Sequence, residues 1–209
     1  MAAVALLAAA IGAYTAPGLL QGLIEQKRRE VERLRLQPDA REDGSWSLRL
    51  AYPASEASFI LARSLGWRRE RLAVLADLKR TSPGRKLGYT ETVSETLAVP
   101  LAIDTAIEQG LAGTLVAIDK SCYGGAPQDL LDARHRADAA AETSGERLPI
   151  VAKDLIIDPL QIGRAASLGA DAVLLIVGAC VPDFPLLLDT CTIMGIEALV
   201  EVHTPDEVR

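Results

Sequence analysis

Residues 149–177, PIVAKDLIIDPLQIGRAASLGADAVLLIV, decide the fold. A short apolar run, Pro149–Lys153, leads into a segment of helical character, Asp158–Leu168, that Gly169 closes. A second apolar run, Asp171–Val177, follows at once. Both runs are nearly continuous rather than alternating, as parallel strands covered on both faces are. Strand, helix and strand in that order make a βαβ unit and predict a parallel sheet.

The same alternation extends both ways. Downstream, a helix over Phe184–Met194 stops at Gly195, and Ala198–Val202 reads as a strand. Thr204–Arg209 then reads as the first turn of another helix, with Thr204 as its N-cap. Upstream, strand Gly113–Asp119 leads through a loop with Gly124-Gly125 into a helix over Gln128–Glu142. Before that, strand Leu72–Lys79 is followed by a long loop and a helix over Val93–Gln109 that Gly110 ends. The glycines sit where left-handed helix caps are needed. Such a series specifies either a doubly wound sheet or a barrel.

The N-terminal part differs. Leu19–Leu36 places Leu20, Leu23, Ile24, Val31 and Leu34 at helical spacing, so an amphipathic helix is expected. Its basic run Lys27–Arg29 is interleaved with Glu25, Glu30 and Glu32 and reads as a solvated face. Gln37–Ser47 reads as a loop, and Ser55–Leu65 as another helix. Met1–Ile24 carries no charge, and its apolar run breaks at Pro17-Gly18. That run is shorter than a bilayer requires and lacks a basic leader. It reads as a targeting remnant, a hydrophobic anchor or, the reading preferred, a short docked helix. The expected organisation is an apolar segment over 1–18, a helical extension over 19–70 and a (β/α) domain over 71–209.

Composition narrows the function. Apolar residues make up 49% and charged residues 24%, enough to bury a real core. A net charge of −6 without a basic face argues against nucleic acid. Cys122, Cys180 and Cys191 are far apart and read as reduced thiols, and with only two histidines no structural zinc is expected.

Charged residues recur at the C-terminal ends of the expected strands: Asp77 and Lys79 on the first, Lys153 on the third, Glu201 on the fifth. Residues two apart on a strand share a face, so Asp77 and Lys79 point the same way. Buried charge is costly unless it finds a partner. Their common placement suits convergence on a polar ligand, at the end of the strands where barrels build active sites.

These residues carry a resemblance. LADLKRTSP (75–83), PIVAKDLIIDPLQI (149–162), GADAVLLIV (169–177) and ALVEVH (198–203) resemble, in order and spacing, the strand motifs of the indole-3-glycerol-phosphate synthases. The likeness runs from about residue 19 to 209, its helix 19–36 included. It implies a (β/α)8 TIM-barrel-type fold, incomplete at about five parallel strands, with an N-terminal helical extension. It implies ring closure of 1-(o-carboxyphenylamino)-1-deoxyribulose 5-phosphate, with loss of carbon dioxide and water and no cofactor. By the same resemblance Lys153 is the general acid and Glu201 the carboxylate that aids proton removal and dehydration. Lys79 pairs with the substrate carboxylate, Ser82 contacts the substrate nearby, and Tyr123 and Leu155 wall its aromatic ring.

The chain also departs from the family pattern. Asp77 stands where the family has glutamate, and its arm is shorter by about 1.5 Å, a displacement of the size that can cost ~10²-fold in rate. Leu155 replaces an aromatic residue, and residues 118–126 keep the second-strand motif only in part. The family's sixth to eighth strands, with its phosphate site, have no counterpart before Arg209. Two readings of function follow. One is the synthase, a carbon–carbon lyase of tryptophan biosynthesis acting on a phosphorylated small molecule in cytoplasm or plastid. The alternative is a pseudoenzyme, a non-catalytic scaffold or linker subunit of a larger assembly. On that reading residues 1–16 and the open sheet edge would contact a protein partner or a membrane. Another ribulose-phosphate-type barrel is a weaker reading, against which the KDLIIDPLQI block argues.

Overall fold

The computed structural model describes residues 4–8, 18–47, 59–66, 72–84 and 89–208. Eight strands are formed: β1 (Val4–Ala8), β2 (Leu75–Leu78), β3 (Thr81–Pro83), β4 (Thr90–Thr92), β5 (Gly113–Ala117), β6 (Ile150–Lys153), β7 (Ala172–Ile176) and β8 (Glu197–Val202). The helices are α1 (Leu19–Arg35), α2 (Ile60–Gly66), α3 (Val99–Glu108), α4 (Pro127–Ser144), α5 (Pro159–Ser167) and α6 (Phe184–Met194). Single helical turns lie at Lys120–Tyr123 and Val177–Cys180.

The main sheet runs β1-β8-β7-β6-β5-β2, with every neighbouring pair parallel. From β2 to β8 each new strand lies beside its predecessor, so the order never reverses. Residues of α3, α4, α5 and α6 all join one apolar cluster with Val116, Ile150, Ala152, Val173, Leu175, Ala198 and Val200. All four crossover helices therefore cover the same face. That is the winding of a (β/α) barrel; a doubly wound sheet has a switch point and helices on both faces. The opposite face presents Leu115, Val151, Ala172, Leu174 and Leu199, packed by Leu19 and Leu23 of α1 and Leu61 of α2.

Two N-terminal helices cover opposite ends of this second face. At the strands' N-terminal end, the Glu197 carboxylate accepts the Leu61 and Ala62 backbone N–H groups at 2.7 and 2.8 Å, which fastens the start of α2. At the C-terminal end lies α1. Its Arg35 bonds Asp158 at 2.5 Å, and Ser121 donates to its Glu30 at 2.8 Å.

Three differences from the sequence reading stand out. The long loop after β2 contains an antiparallel hairpin, β3–β4, with Ser82 opposite Glu91. Lys27 is buried at 4% exposure, whereas Arg28 and Arg29 are exposed, so the solvated face begins one residue later. Residues 4–8 form a strand instead of a docked helix; residues 1–3 and 9–16 of that segment, and 55–58 of the expected helix 55–65, lie outside the described residues.

The pairing of β1 matters most. Val4 to Ala8 lie in parallel register with Ala198 to Val202. The edge of β8 that was expected to be open is covered by the chain's own N-terminal segment. Unpaired edge strands recruit other chains. A variant without residues 1–8 is therefore expected to melt several degrees lower and to self-associate with concentration, as light scattering and sedimentation would register.

Candidate active site

Asp77, Lys153 and Glu201 each stand two residues beyond a residue of the second apolar face: Leu75, Val151 and Leu199 respectively. Alternation along a strand therefore points all three to the face that α1 covers, at the C-terminal end of the sheet.

Two lysines meet one carboxylate there. Lys153 Nζ donates to Asp77 Oδ2 at 3.0 Å, and Lys79 Nζ donates to the same oxygen at 2.6 Å. Lys153 also lies over the Tyr123 ring, 5.0 Å from its centroid, within cation–π range. Lys153, Tyr123 and Leu155 are buried at 8%, 3% and 1% exposure, whereas Asp77 is exposed, so the ammonium is sheltered on its ring side and its carboxylate partner meets solvent. The shorter arm of Asp77 still reaches both lysines.

Burial pushes the Asp77 carboxyl up, but the Lys153 and Lys79 ammonium groups outweigh it and hold it below the ordinary carboxylate range. A depressed carboxyl stabilises the fold above its unfolded pKa, and that contribution is lost as pH falls through the lower folded value. The melting temperature is expected to fall as pH drops below about 4, and Asp77→Asn to remove part of that fall. Thermal melts of both proteins from neutral to acid pH check this.

The loops that carry these groups are fixed locally. Next to Lys79, the Arg80 guanidinium makes two bonds to Asp129, at 2.7 and 2.9 Å, and donates to the Gly124 carbonyl at 3.2 Å. Asp129 also accepts the Ala126 N–H at 2.8 Å, capping α4. The turn bearing Tyr123 ends at Gly124, whose φ of 65° is left-handed. A Cβ at Gly125 would lie 2.1 Å from the Ala117 carbonyl oxygen, so only glycine lets this turn fold back on β5. Gly124-Gly125 is thus a structural turn.

Glu201 lies two strands from Lys153, roughly 10 Å across the sheet at the usual strand spacing. Its carboxylate contacts His203 Nε2 at 3.0 Å, and the Glu207 carboxylate accepts the His203 N–H at 2.7 Å. Ser82 is half-buried on β3, and the hydrogen bonds of the Asp77 cluster do not include it. The structure thus joins Asp77, Lys79, Lys153 and Tyr123 directly, places Leu155 in the same cluster, and sets Glu201 on the same face at a distance.

One group escaped the sequence reading. Lys27 of α1 pairs with Asp119, with Asp154 at 2.8 Å and with Glu30 at 2.6 Å. Burial alone would discharge this amine, but Asp154 and Asp119 outweigh burial and keep it charged. A signal was present: position 27 falls on the apolar stripe Leu20, Leu23, Ile24, Val31, Leu34, where a lysine is out of place unless paired. The three cysteines are free and buried, and burial lifts the Cys180 and Cys191 thiols to about 12. Among the described residues no group of three or more histidine, cysteine, aspartate or glutamate side chains could hold a metal ion, and no helix is long and apolar enough to cross a membrane.

A singly wound parallel sheet, with its crossover helices on one face and paired lysines and a carboxylate at its strand ends, defines a protein of the (β/α)-barrel class. Residues 20–209 match the family model described as indole-3-glycerol phosphate synthase. A protein of that name from Roseiflexus sp. (strain RS-1) is 34% identical over 194 residues, covering 91% of this chain and 66% of its own length. One from Parafrankia sp. (strain EAN1pec) is 36% identical over 143 residues, covering 68% and 48%. One from Koribacter versatilis (strain Ellin345) is 30% identical over 193 residues, covering 91% and 66%. The chain belongs to the indole-3-glycerol phosphate synthase family. It spans 66%, 48% and 66% of these three relatives.

Proposed function

We propose that this chain closes the pyrrole ring of indole-glycerol phosphate from 1-(o-carboxyphenylamino)-1-deoxyribulose 5-phosphate, a step of tryptophan biosynthesis. The observation that carries the reading is the Lys153 ammonium, itself buried and held between the Asp77 carboxylate and the Tyr123 ring, on the same sheet face as Glu201. The family's cytoplasmic or plastid setting is part of the same reading.

The chemistry follows from the substrate. A carbon of the aminobenzoate ring attacks the ribulose carbonyl, whose oxygen gains negative charge. Lys153 donates a proton to that oxygen and completes the new carbon–carbon bond. The ring carboxylate leaves as carbon dioxide, and its electron pair restores the aromatic ring. The hydroxyl just formed takes a proton from Lys79 and departs as water, while Glu201 takes one from the neighbouring methylene carbon as the double bond of the new ring forms. A charged acid on one side and a carboxylate on the other suit this sequence. Lys79, paired with Asp77 and partly open to solvent, receives the substrate carboxylate. Tyr123 and Leu155 wall the aromatic ring, and Ser82 meets the substrate from the hairpin.

The test is a fluorescence assay for indole-glycerol phosphate formation by the purified chain and by its Lys153→Ala variant. Turnover by the parent that is lost in the variant supports the reading. No turnover by the folded parent sinks it. The scaffold alternative gains nothing from the sheet edge it relied on, because β1 covers the edge of β8.

A further inference from the structure

The geometry points to Lys27 as a positioning residue: one buried cation on the N-terminal helix holds together the two loops that carry Tyr123 and Lys153. The inference rests on the proposed activity and adds to it a function for α1 in the site itself.

Lys27 grips a carboxylate on each loop. Asp119 lies two residues beyond β5 and caps the turn Lys120–Tyr123; its second oxygen accepts the Cys122 N–H within that turn. Asp154 directly follows Lys153. It accepts the Leu155 N–H at 2.7 Å and the Gln161 side chain at 3.1 Å, while Gln161 bonds the Ile157 N–H and the Leu155 carbonyl at 2.9 and 3.1 Å. Each carboxylate is therefore wired into the backbone of its own loop. Lys27 ties the two loops to each other.

The electrostatics make the grip sensitive. The side chains of Lys27, Asp119 and Asp154 are exposed by 5%, 0% and 7%. So little of the three side chains reaches solvent that screening is weak, and two carboxylates facing each other without a cation repel strongly. Burial and the charge of Asp154 both push the Asp119 carboxyl up, against the pull of Lys27. Removing the cation drives the β5 and β6 loops apart. The distance that grows is the one between the Tyr123 ring and Lys153. Ser121 on the same turn also bonds Glu30, the acid three residues along α1 from Lys27, so helix and turn move together.

The effect on turnover follows. A displacement of ~1 Å at the reacting groups can cost about 10²-fold in rate. Lys27→Met keeps the length and apolar stem of the side chain and removes its charge. We expect kcat to fall about 10²-fold, with KM moving less, since Lys79 lies outside the two loops that Lys27 grips.

The experiment combines steady-state kinetics with NMR of the full chain labelled with [13C]lysine. The Lys153 side-chain resonance is shifted by the Tyr123 ring, and Lys153→Arg assigns it. In Lys27→Met that shift is expected to collapse while circular dichroism stays native. Asp119→Asn, which removes one of the two gripped charges and keeps an acceptor for the Cys122 N–H, should give an intermediate change. It also serves if Lys27→Met does not fold. A folded variant with the Lys153 resonance and kcat unchanged overturns the proposal. Turnover missing from the parent chain as well would overturn the proposed activity instead, and the resonance alone would then decide for or against Lys27.

Discussion

Replacing Lys153 by alanine is expected to lower kcat about 10³-fold, within the 10²–10⁴ that a positioned general acid contributes. The fold should survive the change. Lys153 sits at the end of β6, and Asp77 keeps Lys79 as a partner at 2.6 Å. Far-UV circular dichroism and melting within a few degrees of the parent would separate chemistry from unfolding. On the proposed mechanism KM should move less than kcat, because Lys79, the group assigned there to the substrate carboxylate, stays in place. Glu201→Gln gives the complementary result: a loss of similar size, with the proton-accepting step blocked. A Lys153→Ala protein retaining a tenth or more of the parent's kcat would remove this lysine from the acid role.

The second large effect concerns stability. Asp171→Ala is expected to cost about 3–5 kcal/mol, the range for removing one member of a buried ion pair. Asp171 accepts the Ile150 N–H at 2.9 Å, Arg134 at 2.9 Å and Arg147 at 2.8 Å. It stands at the start of β7, next to the start of β6, the opposite end of the sheet from the acid–base groups. Burial pushes its carboxyl up in spite of those donors, so the site is expensive to charge and still worse to leave half-filled. Arg134, whose side chain is 7% exposed, would lose its buried partner. For a chain of this size the melting temperature should fall on the order of 10 °C. Turnover per folded molecule should hardly change, since Asp171 is remote from Lys153. Calorimetry with activity measured well below the transition checks both halves.

Much of the fold was legible because the sequence repeats one instruction. The runs at 113–119, 149–153 and 171–177 are continuous and apolar, and they became β5, β6 and β7 with only their ends trimmed. Gly169 and Gly195 marked where helices stop, with φ of 90° and 65°. Periodicity left barrel and doubly wound sheet undecided, because it does not say on which face a helix lands. The KDLIIDPLQI block carried the family. The structure shows much of it serving attachment: Asp154 to Lys27, Asp158 to Arg35, Gln161 to the loop between.

What escaped was non-local. An Ala- and Leu-rich segment has helical propensity, and nothing within residues 1–16 announces that Val4–Ala8 will find the edge of β8. Lys27 was hidden in the same way: its charged neighbours are close in sequence, but the carboxylates that bury it lie at 119 and 154. The β3–β4 hairpin, Thr-Ser-Pro against Thr-Glu-Thr, has too little apolar patterning to declare itself. The pairing of Lys79 and Lys153 on one oxygen of Asp77 required the register of β2, β5 and β6, which strand lengths alone do not supply.

The seam between β1 and β8 has a consequence for how the protein is made. Val4–Ala8 leaves the ribosome roughly 190 residues ahead of its partner, Ala198–Val202. At ~5–20 residues per second the delay is on the order of 10–40 seconds. For that whole interval an uncharged, apolar stretch of the nascent chain has no β8 to join. Chaperones and translocation factors that scan for such stretches meet it before its own sheet does. Synthesis speed therefore enters the fate of this polypeptide: slow translation prolongs the exposure, and only the final strand ends it.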